Sequence, residues 1–239
     1  MPDGRAVIDR VSLDAGPGAP TDAVDAVVHR PRGGTASGIG VLLTHGAGGD
    51  LDGAGLTALA GGLAAAGHLA VRCNLPYRQA GRRAPPRAER SVDAFAAIAT
   101  DARRLGPRLH GWAVGGKSYG GRVASLAVAA GLDAAALVFY GYPLHAPGRH
   151  DRLRVNHWPH VTVPCLFLQG TRDPLCDLDL LRAHLPDLGG PATLHVVEGG
   201  DHSLAVRGEG AAGSEGEVLT QLATVVGDWL RDVTRTPHH

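Results

Sequence analysis

Apolar and polar positions alternate along residues 6–13 and again along residues 23–29, with the turn-forming stretch Gly16-Pro17-Gly18-Ala19-Pro20 between them. Period-two alternation sends successive side chains to opposite faces, so each stretch reads as a strand with one face on a core and one in solvent. Together they predict an antiparallel hairpin that opens the fold. The pattern then changes. Residues 39–43 are apolar without a break, as expected of a strand covered on both faces. Further apolar runs predict strands at 69–73, at Trp112-Ala113-Val114, at 135–140, at 165–169 and at 193–197. Helical periodicity lies between them: 56–66, closed by Gly67; 91–105, with Ser91 as N-cap and Asp93 in the first turn; the small-residue run 123–128; 178–185; and a strongly amphipathic 217–233. Two opening strands followed by alternating strands and helices predict an α/β fold, a mostly parallel sheet with helices on both faces. No internal repeat or linker interrupts the pattern, so residues 1–239 read as a single domain.

Bulk composition narrows the function. Formal net charge is zero, which lacks the basic surplus of a nucleic-acid binder. No apolar run approaches the ~18 residues of a membrane span. The first residues, Met1-Pro2-Asp3-Gly4-Arg5, lack the basic-then-apolar pattern of a signal peptide. Three scattered cysteines, Cys73, Cys165 and Cys176, form no C-x-x-C pair, which points to a reducing cytoplasm. His145, His150, His157 and His160 have neither zinc-finger nor H-E-x-x-H spacing, so no metal is expected. Neither phosphate-binding glycine pattern stands at a strand–helix junction. Lys117 is the only lysine; positive charge is otherwise arginine, and residues 76–90 hold five arginines.

Gly116-Lys117-Ser118-Tyr119-Gly120 carries the chemistry. It reads G-x-S-x-G between a strand and a helical run, the setting of a nucleophile elbow. The strand-to-helix turn is so sharp that glycine is needed two residues to either side of the serine. A serine hydroxyl needs a base, and the base needs an orienting acid. Active groups lie on loops after the C-terminal ends of the strands. The strand 165–169 is followed by Gly170-Thr171-Arg172-Asp173-Pro174, making Asp173 the candidate acid, with Asp201 and Asp177 as rivals. The strand 193–197 is followed by Glu198-Gly199-Gly200-Asp201-His202-Ser203, making His202 the candidate base. Position decides here, since any of 13 histidines could otherwise be proposed. An oxyanion would be held by the Tyr119 N–H and by an N–H of the loop His45-Gly46-Ala47-Gly48-Gly49, with Ala47 the first candidate and Gly48 the next. His45, Tyr77, Arg82 and Arg83 are candidates for contact with substrate; the two arginines would suit an acidic one.

These motifs, in this order, resemble the α/β-hydrolase superfamily from about residue 23 onward. Asn74-Leu75-Pro76-Tyr77, Gly81-Arg82-Arg83, Gly115 to Arg122 and Gln169 to Asp173 are similar to a small branch. It includes the testis-expressed hydrolase-like protein and a subunit of the non-specific-lethal chromatin complex; dienelactone hydrolases are more distant. The resemblance implies an eight-stranded sheet and a Ser118–Asp173–His202 triad. Dienelactone hydrolases use cysteine where this chain has Ser118. Only about twenty residues, 142–162, separate two strands where lipases insert a lid, so a large lid is not expected. The resulting expectation is a cofactor-free serine hydrolase for a small ester, or less so a thioester or amide. Acyl transfer, lyase chemistry and a non-catalytic binding or scaffold role stay open, as does the oligomeric state.

Overall fold

The computed structural model describes residues 7–33, 38–206 and 213–235. Met1 to Arg5 and Ala6, read above, lie outside them. The sheet has eight strands: β1 (Val7–Asp14), β2 (Ala23–Arg30), β3 (Ile39–Thr44), β4 (Leu69–Cys73), β5 (Gly111–Lys117), β6 (Ala136–Tyr140), β7 (Cys165–Gly170) and β8 (Ala192–Val197). Their order is β1-β2-β4-β3-β5-β6-β7-β8. β1 and β2 pair antiparallel, as do β2 and β4, and every later pairing is parallel. The antiparallel opening and the parallel remainder are both as the hydrophobic pattern predicts.

Among the described residues six α-helices complete the fold: α1 (Ala54–Ala65), α2 (Pro76–Gln79), α3 (Val92–Ala102), α4 (Tyr119–Ala129), α5 (Leu178–His184) and α6 (Glu215–Arg235). Two apolar clusters form, one on each face of the sheet. The first packs Phe95 and Ile98 of α3 and Val123 and Ala127 of α4 with Phe139 and Phe167. The second packs Leu56, Leu59 and Leu63 of α1 with Leu219, Leu222, Val226 and Leu230 of α6. The spacing of the α6 residues is one helical stripe, which is why that helix docks by a single face.

Several boundaries differ from the sequence expectation for physical reasons. α6 starts two residues earlier than 217, because Ser214 and Glu217 form a reciprocal cap: Ser214 N donates to Glu217 Oε2 at 2.8 Å and Glu217 N to Ser214 Oγ at 3.3 Å. Ser91 precedes α3 but makes no cap hydrogen bond, because a 3₁₀ turn (Ala88–Ser91) runs straight into the helix and leaves Ser91 helical. Its hydroxyl instead lies 2.9 Å from Tyr119 Oη. The end of the 91–105 stretch tightens into a 3₁₀ turn, Arg103–Leu105. Residues 142–162 form no lid: Tyr142, Trp158 and Val161 are buried in the first cluster.

Candidate active site

Ser118 stands between the last residue of β5 and the first of α4, with φ 47° and ψ −112°. Non-glycine residues occupy this region only when their surroundings force them to. The forcing is close packing of the elbow against the end of β3. A methyl group at Gly116, itself at φ +148°, would come 2.1 Å from the Thr44 carbonyl oxygen; one at Gly120 would come 2.6 Å from the His45 carbonyl oxygen. Only glycine fits at either place. The Ser118 carbonyl accepts the first α4 hydrogen bond, from Arg122 N at 3.0 Å, so the helix starts directly behind the serine.

Ser118 Oγ lies 2.8 Å from His202 Nε2, and His202 Nδ1 lies 2.8 Å from Asp173 Oδ2. The carboxylate can only accept, so Nδ1 carries the proton and Nε2 is free to accept from the serine hydroxyl. Asp173 is held from two further sides. Gln169 Nε2 donates to Oδ2 at 2.6 Å, and Leu175 N donates to Oδ1 at 2.8 Å. Gln169 is fixed in turn by Tyr142 N, which donates to its Oε1 at 2.9 Å. The rival acids are engaged elsewhere. Asp201 accepts from Ser203 N and Ala205 N and shapes the His202 loop. Asp177 caps α5, accepting from Asp179 N and Leu180 N. Leu204, at φ 62° and fully buried, anchors the same loop in the second cluster.

The loop after β3 is built around the Gly46 carbonyl. Gly49 N donates to it at 3.2 Å, His45 Nδ1 at 2.9 Å and the Tyr77 hydroxyl at 3.5 Å. His45 Nε2 accepts from Leu75 N at 3.1 Å, which fixes its tautomer as Nδ1–H. Burial holds the His45 pKa below the ordinary histidine value. In a planar trans peptide the carbonyl of one residue and the N–H of the next point in opposite directions. Three donors on the Gly46 oxygen therefore turn the Ala47 N–H away from the His45 ring, and Ala47 itself lines the cavity. The Tyr119 N–H is in the first turn of α4, where no intrahelical acceptor exists for it.

The cavity has a volume of about 430 Å³; Ser118 and His202 line it together with His45, Gly46, Ala47, Gly49, Asp50, the start of α1, Lys117, Leu175 and Glu215. Of the substrate candidates, His45 reaches the cavity but spends both ring nitrogens on the backbone. Tyr77 does not line it: the ring is buried behind the loop, edge-on to His45 at 5.7 Å and to Tyr119 at 5.9 Å. Arg82 and Arg83 do not line it either. α2 ties Arg78 to Asp50 at 3.1 Å, Gly81 reverses the chain at φ +77°, and both arginines then project into solvent. Gly48 is exposed at the loop tip and supplies the φ of +75° that the turn needs. Residue-type reasoning passed over Gln169, Asp50 and Glu215. Gln169 had a signal, as the polar end of an otherwise apolar strand; Glu215 had none.

A family profile for the alpha/beta hydrolase domain matches residues 38–231. The chain belongs to the α/β-hydrolase family. Solved structures similar to this α/β-hydrolase include dienelactone hydrolase from Anabaena variabilis, at 19% identity and TM-score 0.72, covering 96% of this chain and 99% of that one. A lidless α/β serine hydrolase from Xanthomonas campestris has 21% identity and TM-score 0.64, with 100% and 98% covered. A cold-adapted esterase from an Arctic intertidal metagenomic library has 22% identity and TM-score 0.65, with 94% and 93% covered. Among its described residues, this α/β-hydrolase has no helix long and apolar enough to cross a membrane.

Proposed function

We propose that this α/β-hydrolase is a serine hydrolase that cleaves a small carboxylic ester through an acyl-enzyme on Ser118. The observation that carries the reading is the unbroken hydrogen-bond chain Ser118–His202–Asp173, opening on a cavity. Ser118 Oγ attacks the carbonyl carbon and its proton passes to His202 Nε2. Asp173 steadies the imidazolium, and the N–H groups of Tyr119 and Ala47 receive the oxyanion. Collapse expels the alcohol, which takes the proton from His202. Water then attacks the acyl carbon, gives a proton to His202, and releases the acid as Ser118 recovers its hydrogen. Each proton passes through His202 Nε2. Thioesters and activated amides fit the same steps.

The Asn74-to-Tyr77 and Gly115-to-Arg122 motifs support placement in the small lidless branch of the family. The three cysteines are all buried free thiols, in keeping with a reducing compartment. The short segment 142–162, drawn into the core by Tyr142, Trp158 and Val161, favours a small acyl group over a long-chain lipid. Turnover of p-nitrophenyl acetate, butyrate and decanoate tests this reading. The short esters are expected to be hydrolysed, and Ser118→Ala to lower kcat by about 10⁴-fold or more. Equal rates in the wild type and Ser118→Ala would contradict the assignment.

A further inference from the structure

The cavity beside Ser118 is largely apolar but carries a charged patch. Lys117, the only lysine of the chain, precedes the nucleophile, and its stem passes over the loop glycine Gly46. Its Nζ donates to Ser203 Oγ at 2.6 Å and to Glu215 Oε1 at 2.5 Å, and lies 5.6 Å from the centre of the Tyr140 ring. Tyr140 is buried beside the pair, and burial together with the negative charge of Glu215 raises its pKa well above the usual phenol value, so it stays protonated. Gly55 makes the room: a methyl group there would come 2.6 Å from Glu215 Oε1. Lys117, Tyr140, Gly55 and Glu215 all line the cavity that Ser118 and His202 line. Both members of the ion pair are about three-quarters buried, with side-chain exposures of 21% and 25%.

What such a patch recognises follows from its hydrogen-bond inventory. An ammonium has three donors, of which Ser203 and Glu215 take two. A carboxylate has about four acceptor sites, of which Lys117 occupies one. An alkyl chain laid here would strip water from the pair and return no hydrogen bond. A substrate carboxylate would meet Glu215, and a substrate ammonium would meet Lys117. An uncharged hydroxyl matches both halves at once, accepting from Lys117 and donating to Glu215. We propose that Lys117 and Glu215 form a hydroxyl-binding subsite, so that the substrate is an uncharged ester carrying a hydroxyl group near the reacting carbonyl. The inference rests on the reading of Ser118 as nucleophile and adds the polarity of the group it acts on.

The hydroxyl can stand on the acyl or the alcohol part, and two pairs of esters separate these sources. The first pair is p-nitrophenyl 3-hydroxybutyrate against p-nitrophenyl butyrate, with the p-nitrophenyl ester of succinic acid as the anionic comparison. The second is glycerol 1-butyrate against propyl butyrate. The wild type is expected to favour the hydroxylated member of at least one pair by about tenfold or more in kcat/KM, in keeping with a hydrogen bond to charged groups. It should also use the succinyl ester less well than the butyrate. In Lys117→Met the hydroxyl preference falls to about one. In Glu215→Gln the lysine is left without its counter-charge, and the succinyl ester improves by about tenfold relative to butyrate. No discrimination in either pair, a wild-type preference for the succinyl ester, or a hydroxyl preference that survives both substitutions would overturn the subsite. Fluorophosphonate labelling of the wild type keeps the two claims apart. Labelling without discrimination defeats only the subsite, whereas absent labelling defeats the nucleophile assignment and the subsite with it.

Discussion

At the scale of single residues, the site is a set of side chains with little freedom left to choose a role. His202 can hold only one tautomer, because Asp173 accepts on one side and Ser118 faces the other. His45 is likewise confined, with Leu75 N on Nε2 and the Gly46 carbonyl on Nδ1. That makes His45 the fastener of the loop after β3, the loop to which we assign an oxyanion donor. His45→Phe is expected to lower kcat by about 10–100-fold with a much smaller change in KM, because an oxyanion donor acts mainly in the transition state. Steady-state kinetics on p-nitrophenyl butyrate measure this, and a change confined to KM would return His45 to the role of a binding residue. The sequence led to Ser118, Asp173 and His202 because each follows a strand end, and the structure places these three within one hydrogen-bonded chain. Arg82 and Arg83 also follow a strand end, yet they face solvent. A one-turn helix and a left-handed glycine redirect the chain there, and neither has a hydrophobic period to reveal it.

At the scale of elements, the elbow and the terminal helix show why some features were legible and others were not. The elbow is a short-range steric problem, so its solution is written in adjacent residues. Gly116→Ala would push a methyl group against the Thr44 carbonyl in an unfavourable φ region. It should cost about 3 kcal/mol or more, or prevent folding. A urea midpoint within error of the wild type would show that the turn is looser than described. α6 was legible through its apolar stripe, although its first turn was not. That turn depends on the cap between Ser214 and Glu217 and on Glu215 reaching Lys117, contacts that span about a hundred residues in the second case. Leu230→Ala, which hollows the packing of α6 against α1, is expected to destabilise by ~2–5 kcal/mol. Ser91 was misleading because helix capping is a local rule, and the 3₁₀ turn before it changes the local geometry.

At the scale of the molecule, the alternation of strand and helix patterns sufficed to give a parallel sheet behind an antiparallel hairpin, since few other arrangements bury those faces. The route of residues 142–162 was less visible. Their aromatic residues, Tyr142 and Trp158, pack with Phe139 and Phe167 and draw the segment into the core, which leaves the cavity open. The fold also sets a pH dependence. His29 and His157 are buried beside arginines, and burial first, with Arg72 and Arg122 second, lowers each to about 4. His45 and His68 are lowered too, chiefly by burial. In the unfolded chain these groups protonate near ~6.5. Between about pH 6.5 and 4 the unfolded state therefore binds more protons, so stability is full above that window and falls as the pH drops through it. Urea midpoints measured from pH 7.5 down to 4.5 should decline steadily below about 6.5, and a flat profile would contradict the neutral, buried state of these histidines.

The claim on which the rest depends is that Ser118 is a nucleophile activated by His202. Intact-protein mass spectrometry after reaction with a fluorophosphonate, followed by peptide mapping, tests it most directly. One adduct per chain is expected, carried by Ser118, lost in Ser118→Ala and strongly slowed in His202→Ala. An unmodified wild-type chain, or an adduct mapped to any other residue, would contradict the account.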